Sequence, residues 1–428
     1  MPVHPDLAPA MRARRSPSLH QRLARLAAAV ALGLVDNAPA ATIVVNSSSA
    51  GSVAGSCTLF DAVTAVNTQS PVNQCIAGNG NNDTISLAGF TVPTTITFTA
   101  PVNGYLSALP IAKAVTITGN LDGNGNALVT IERSEISGVP FRLIQNGDNL
   151  TLHGLTLRNG YAGPGGAIYA IGSATVTLTN CRLSNNTTGS AGGAIYAQNG
   201  SVTLTNSTIS GNSTVAGNGG GIYAGGTVYA NESTISGNYT TGTGGGIYAS
   251  AAVLTNTTIS TNYAAVSGGG IFAAAVTLQF STVAGNAVAS GGIGGGIAIT
   301  SYKVASTSTA SIVSGNQPGN DIDSPAAVTL GGDHNLIGAH GANITLANPA
   351  LTCDPHLGPL FDNGGPTWTR PLFIGSCALD AGPATGGPVT TDQRGFARKA
   401  GSATDLGAFE KQGLLDPPDL IFVNGFEQ

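Results

Sequence analysis

Charged side chains are scarce in this sequence. They make up 9% of its 428 residues, and the stretch from Asn159 to Asn320 contains only Arg182, Glu232 and Lys303. Hydrolysis of a glycosidic bond needs two positioned carboxylates, and a polysaccharide lyase needs a basic residue with acidic calcium ligands. The middle of the chain is therefore a poor candidate for either reaction.

Aromatic residues are also rare, at 5% of the chain, with a single tryptophan. The chain is nevertheless 42% hydrophobic and contains 61 glycines. A disordered chain would combine high charge with few apolar residues, so this composition indicates a folded protein with an unusually uncharged surface.

Long apolar runs are missing as well. The apolar stretch Leu26–Val35 is too short to span a bilayer as a stable helix. It follows five arginines between positions 12 and 25 and precedes the small residues Ala38-Pro39-Ala40, a pattern typical of a secretory leader covering residues 1–40. Translation starts at Met1 or Met11, and we expect an exported protein without a transmembrane span.

Leader removal makes the mature chain more acidic. The loss of five Arg and two Asp leaves 11 basic and 19 acidic residues, a net charge of −8. Nucleic-acid binding needs a basic surface, so we expect no nucleic-acid partner.

Five cysteines remain, in a chain whose export would permit disulfides. Their clustering in the sequence favours Cys57 paired with Cys75 and Cys353 paired with Cys377, with Cys181 left alone.

Two markers recur with a period of 24 to 30 residues. A Gly-Gly-Ala/Gly-Ile unit places isoleucine at Ile168, Ile195, Ile222, Ile247, Ile271 and Ile297, and a Ser-Thr-Ile-Ser-Gly-Asn-like unit places asparagine at Asn186, Asn212, Asn238, Asn262, Asn286 and Asn316. Short strands of alternating character lie between them, such as Val202–Asn206. One such segment cannot bury its apolar face alone, so the copies must stack.

The predicted fold is therefore all-β: a right-handed parallel β-helix with an N-terminal cap and a small C-terminal β-rich domain. The expected boundaries are 41–110 for the cap, 111–330 for the repeats, 331–410 for the C-terminal region and 411–428 for a tail. Stacking in register should also let the marker asparagines hydrogen-bond one another along the axis.

An aromatic residue follows the marker isoleucine in five coils: Tyr169, Tyr196, Tyr223, Tyr248 and Phe272. If the isoleucines point inward, alternation turns these rings outward into a stripe. The stripe has two interpretations, a stacked ladder that stabilises the sheet or a platform that binds an extended glycan.

The repeat units resemble the GGAI and FxxN repeats of polymorphic outer-membrane and β-helix surface proteins, with Ile, Leu or Val where those carry Phe. The segment "CTLFDAVTAVN", Cys57–Asn67, resembles the CSLREA-type entry motif of bacterial secreted proteins, with Phe60 at the Arg position and Asp61 at the Glu position.

The C-terminal segments "DHNLIG", "CDPHLGPLFDNGGPTWT", "ALDAG", "TTDQRGFAR" and "DLGAFE" resemble the choice-of-anchor Q domain, and the final "DLIFVNGFE" is similar to short endings of such proteins, with Asn424 at the usual Asp. These resemblances imply an exported or cell-surface bacterial protein that uses separate export and anchoring machinery. They imply no catalytic residue.

Metal binding by His334, His340, Cys353, Asp354 and His356 is disfavoured, because their spacing fits no zinc motif and Cys353 is expected to pair with Cys377. We expect no cofactor and no metal. The preferred hypothesis is a monomeric, non-enzymatic, adhesin-like or structural surface protein with a glycan partner. The alternative is a β-helix polysaccharide lyase or glycoside hydrolase.

Overall fold

The computed structural model describes residues 39–80, 82–102 and 106–413. The predicted leader, apart from its last residues, both start methionines and the tail beyond residue 413 lie outside these described residues. Within them, three stacks of parallel strands wind around one continuous apolar core, which confirms the predicted parallel β-helix.

Sheet 1 has 18 strands in the described chain. They are Thr42–Val44, Asp83–Ser86, Ser107–Ile111, Val115–Thr118, Arg142–Asn146, Leu150–His153, Ile168–Ala170, Val176–Thr179, Ile195–Ala197, Val202–Thr205, Ile222–Asn231, Ile247–Thr255, Ile271–Gln279, Ile297–Ile299, Ser306–Thr309, Ile322–Asp323, Val328–Gly331 and Ile344–Leu346. Most coils contribute two of these strands, and three coils contribute one long strand.

Sheet 2 has ten described strands and sheet 3 has six. Sheet 2 consists of Thr94–Phe98, Val129–Arg133, Leu155–Arg158, Arg182–Ser184, Thr208–Ser210, Thr234–Ser236, Thr258–Ser260, Thr282–Ala284, Ile312–Ser314 and Leu336–Ile337. Sheet 3 consists of Tyr161–Ala162, Thr187–Thr188, Ser213–Thr214, Tyr239–Thr240, Tyr263–Ala264 and Ala287–Val288.

Like residues stack on like residues along the axis. Ile195 pairs with Ile222, and Ile222 pairs with Ile247, and all three are fully buried. In the alternating strand Val202–Thr205, the apolar residues Val202 and Leu204 are also fully buried. Because side chains alternate between the two faces of a strand, this register places the intervening residues outside.

The marker asparagines form the predicted ladder inside the corner between sheets 2 and 3. From Asn212 to Asn316, the Oδ1 atom of each marker asparagine accepts two bonds from the asparagine one coil earlier, from its backbone N–H and from its Nδ2, at 2.8 to 3.0 Å. Asp321 closes the series, because its Oδ1 accepts the same two bonds from Asn316. Buried amides are thus paired, as low-dielectric surroundings require.

A second corner, between sheets 1 and 2, needs one residue per coil with positive φ. Asn180, Asn206 and Asn256 take this conformation at φ of 52°, 48° and 47°. Asparagine tolerates the left-handed region because its short polar side chain costs little there. Glu232 occupies the same position in its coil, at φ of 51°.

The N-terminal cap consists of a first coil and helix α1, Leu59–Thr68. Thr58 caps the helix, since its side chain accepts the Asp61 N–H at 3.1 Å, and the face with Leu59, Ala62 and Val66 is buried. Strand Thr42–Val44 already pairs with Asp83–Ser86, so stacking begins within the predicted cap.

Both predicted disulfides are present, Cys57–Cys75 and Cys353–Cys377. Cys181 is free and buried, and burial raises the pKa of its thiol to about 12. A thiol that remains protonated at neutral pH is a poor nucleophile, so Cys181 acts as a core residue.

Stacking continues beyond residue 330, the boundary expected from the sequence. Val328–Gly331 and Ile344–Leu346 pair in sheet 1, and Leu336–Ile337 extends sheet 2. Residues 352–413, here called the strap, form turns with isolated bridges such as Phe361 with Thr369. The strap packs against the outer face of sheet 2, where Leu372, Leu406 and Phe409 join Phe280 and Ile312 in a second apolar cluster.

The ladder generates a stability prediction. Asn212→Ala removes the acceptor for two Asn186 donors, and an unsatisfied buried donor costs about 1–3 kcal/mol. We expect the variant to lose about 3 kcal/mol of unfolding free energy in urea denaturation. Asn199→Ala, at an exposed loop asparagine, is the control and should change little. Equal stability of the two variants would contradict the structural role of the ladder.

Candidate functional site

The aromatic stripe predicted from the sequence exists as one continuous row on sheet 1. Tyr196, Tyr223, Tyr248 and Phe272 stack at centroid separations of 4.6, 4.8 and 5.2 Å, with interplanar angles of 15°, 8° and 7°. Tyr169 meets Tyr196 edge-on at 5.5 Å and 63°.

In this row the faces of neighbouring rings lie against each other. Stacked rings cover each other's faces, so the half-buried rings turn their edges toward solvent. Burial raises the pKa of Tyr196 and of Tyr223, with a smaller contribution from neighbouring tyrosines. The contacts are those of a stabilising ladder, and glycan binding by the stripe stays a prediction.

The first ring of the stripe contacts a buried cation. The Arg142 guanidinium carbon lies 4.9 Å from the Tyr169 ring centroid, and Arg142 donates to Gln145 at 2.7 Å. Burial lowers the pKa of Arg142 to about 10. This group is thus held inside the protein, at the end of the ladder.

The three charged residues of the central coils lie apart. Arg182 is exposed on sheet 2, Lys303 is exposed in a loop beside Tyr302, and Glu232 is half-buried at the left-handed corner. Burial, with a smaller effect from Asp392, raises the pKa of Glu232. The Glu232 backbone carbonyl accepts a bond from Thr367 Oγ1 at 2.9 Å, so this residue forms part of the strap contact.

Asp392 is the carboxylate whose charge contributes to the raised pKa of Glu232, but it is already engaged. It is fully buried, its Oδ2 lies 2.8 Å from an Arg394 guanidinium nitrogen, and its oxygens accept the N–H groups of Arg394, Phe396 and Glu410. Arg394 and Asp392 therefore form a buried structural ion pair. A carboxylate bound in this way is not free to act as nucleophile or base.

The strap encloses a second acidic group beside this pair. Glu410 accepts the N–H of Ala400 at 3.1 Å and of Asp405 at 2.9 Å, and it lies 4.0 Å from the Arg398 guanidinium. Burial, reinforced by the Asp405 carboxylate, raises the pKa of Glu410 to about 8. Arg398 in turn bonds the Asn256 side chain, so this cluster ties the strap to the coils.

A buried glutamine joins the strap to sheet 2. Gln393 Nε2 donates to Thr234 Oγ1 at 2.9 Å and to Thr367 Oγ1 at 2.8 Å, while its Oε1 accepts from Thr258 at 2.6 Å. The sequence Asp392–Gly395 is typical of a turn and gives no sign of this role. The threonines of sheet 2 recur once per coil, but no local pattern identifies their distant partner.

The candidate metal ligands do not converge. Cys353 is in a disulfide, His356 lies 4.0 Å from Asp354, and no group of three His, Cys, Asp or Glu in the described chain could hold a metal ion. A shallow cavity of about 310 Å³ at the start of the repeats contains Arg133, Glu135 and Tyr161. It contributes one carboxylate, which already accepts from Asn159 at 3.1 Å.

Comparisons with known proteins agree with the architecture. Residues 120–317 match the family model described as a right handed beta helix region. The coils that carry the isoleucine and asparagine markers are therefore those of a right-handed parallel β-helix. This fold is found in enzymes and in non-enzymatic proteins alike. No curated protein and no solved structure matches the chain. No helix within residues 39–413 that the structure describes is long and apolar enough to cross a membrane.

The buried Glu410 predicts a pH dependence of strap stability. Its folded-state pKa of about 8 lies above the ordinary value of 4.5, so its contribution is fully present below about pH 4.5 and is lost as pH rises through about 8. We expect the thermal midpoint of the native protein to rise, relative to Glu410→Gln, on acidification from about pH 9 to pH 5.

The matched control for this series is Glu135→Gln, at an exposed carboxylate. Its midpoint should follow that of the native protein across the pH series. Parallel curves for the native protein and Glu410→Gln would rule out Glu410 as the titrating group.

Proposed function

We propose that this is a non-enzymatic, exported or cell-surface protein of adhesin-like character, in which a rigid β-helix presents a binding surface. One observation supports this most directly. The central coils carry three charged side chains, which lie apart, and Asp392, the carboxylate that acts electrostatically on Glu232, is already held in an ion pair.

Rigidity follows from the stacked ladders. The Asn, Ile and Tyr rows tie each coil to the next over most of the repeat body, so the outer faces keep a fixed geometry. A regular, uncharged and inert surface suits adhesion to an extended partner, because binding to a preformed surface does not require the protein to become ordered.

Export and surface attachment are the second part of the proposal. The leader-like residues 1–40, the two disulfides and the choice-of-anchor resemblance support it. Fractionation of cells and medium tests it, comparing the full chain with one that lacks Leu420–Gln428. We expect the truncated chain to shift from the cell envelope to the medium, and an unchanged distribution would remove any sorting role from this tail.

Polysaccharide cleavage is the alternative, and a reducing-end assay tests it. We expect no increase in reducing ends when the folded protein is incubated with plant and microbial polysaccharides, because hydrolysis needs two available carboxylates and a lyase needs a basic residue with acidic calcium ligands. Cleavage that disappears in Glu232→Gln would instead establish an enzyme with its catalytic group at the left-handed corner.

A further inference from the structure

Exposed aromatic rings occur on the strap as well as on the coils. Phe361 is 55% exposed and Trp368 is 45% exposed, and their ring centroids lie 6.2 Å apart at an angle of 29°. Trp368 is the only tryptophan in the chain. Large apolar rings that remain exposed side by side are unusual on a soluble surface and mark binding sites.

These two rings differ from the stripe in what they offer a ligand. In the stripe, neighbours at 4.6 to 5.2 Å and nearly parallel cover the ring faces. Phe361 and Trp368 are farther apart and inclined, and about half of each side chain is open. Stacking of a sugar needs an open ring face, because the C–H groups on one side of a pyranose pack against the π surface.

The rings are held in place by a fixed hairpin. Phe361 and Thr369 exchange two backbone bonds of 3.1 Å, and Asn363 Nδ2 donates to Thr369 O at 2.9 Å. At the tip, Gly364 and Gly365 have φ of 88° and 82°, and a Cβ on Gly365 would lie 2.6 Å from the Arg394 Cα. A site built this way does not have to become ordered on binding.

The hairpin is also anchored to the coils. The Trp368 carbonyl accepts from Thr234 Oγ1 at 2.6 Å and from Gln393 Nε2 at 3.1 Å. Thr234 belongs to a row on the outer face of sheet 2 in which the strap buries Thr234, Thr258 and Thr282. Trp368 therefore lies where the covered part of this row begins.

Beyond Trp368, the same row of sheet 2 is not covered by the strap. The next coils present half-buried Thr208, exposed Arg182 and half-buried Thr156, in register. Coils are about 4.8 Å apart, so Arg182 lies roughly 10 Å along the axis from Thr234. No hydrogen bond or ion pair joins the Arg182 guanidinium to another described residue.

We propose that Phe361 and Trp368, with the open strip Thr208–Arg182–Thr156 beside them, bind an extended polysaccharide. One pyranose ring stacks on the aromatic pair, and the chain follows the axis across the threonine hydroxyls toward Arg182. The strip offers hydroxyls and one free guanidinium, and it carries no acidic side chain. This inference rests on the proposed adhesin-like function and assigns it a site different from the stripe.

Intrinsic fluorescence gives a direct test, because Trp368 is the sole tryptophan of the full chain. The probes are cellohexaose, laminarihexaose and an alginate hexamer. We expect a saturable fluorescence change with at least one of them. Binding to the acidic hexamer should weaken in Arg182→Ala, whereas binding to the neutral probes should not.

Titration calorimetry of the variants then distinguishes binding at the Phe361–Trp368 pair from binding at other exposed rings. Trp368→Ala and Phe361→Ala should each weaken the binding by roughly tenfold or more. Tyr302→Ala, at a ring that is 67% exposed elsewhere on the coils, is the matched control and should bind as the native protein does. Circular dichroism confirms that each variant is folded.

Two results would contradict the proposed binding site. One is the absence of saturable binding for all three probes, and the other is native affinity in folded Trp368→Ala. Loss of binding in the folded double variant Tyr196→Ala with Tyr223→Ala, with Trp368→Ala unaffected, would assign the glycan to the stripe instead. Shortened probes, detected in the same samples by mass spectrometry, would refute the non-enzymatic function separately.

Discussion

The buried asparagine ladder is the contact on which the register of the coils depends. Each Oδ1 binds two donors of the neighbouring coil, so a slip by one residue would leave several buried donors unpaired at once. The same register places Ile222 on Ile247 in the core and Tyr223 on Tyr248 outside. Stacking in register thus requires a repetitive sequence. Such a sequence leaves few positions in the coils for charged or catalytic side chains.

The strap covers apolar side chains that the later coils place on their outer surface. On the outer face of sheet 2, the threonine row gives way to Ile312 and Leu336, and the left-handed corner carries Phe280. Those apolar groups would face water without the strap, which buries them against Leu406 and Phe409. Polar contacts from Gln393 and Arg398 fix its position. The specific, non-repetitive chemistry of the chain is concentrated where the strap meets the coils.

The repeats explain which features could be predicted. Asn238, Ile222 and Tyr223 each recur in neighbouring coils, so one period reveals their position, burial and partners. Glu232 could not be interpreted in this way, because its conformation belongs to the asparagine corner while its contact, Thr367, lies 135 residues away. Gln393 and Trp368 pose the same difficulty. Their partners depend on how the strap folds back, and no local pattern in the chain encodes that path.

Hydrogen exchange tests the central claim most directly. The backbone N–H groups of Asn212, Asn238 and Asn262 each donate to the next asparagine of the ladder. If the ladder holds the register, these amides exchange only when the whole β-helix unfolds, so peptides covering 206–264 stay protected as long as the most stable core strands do. Exchange of these peptides as fast as the exposed loop Ser301–Ala305 would contradict the account.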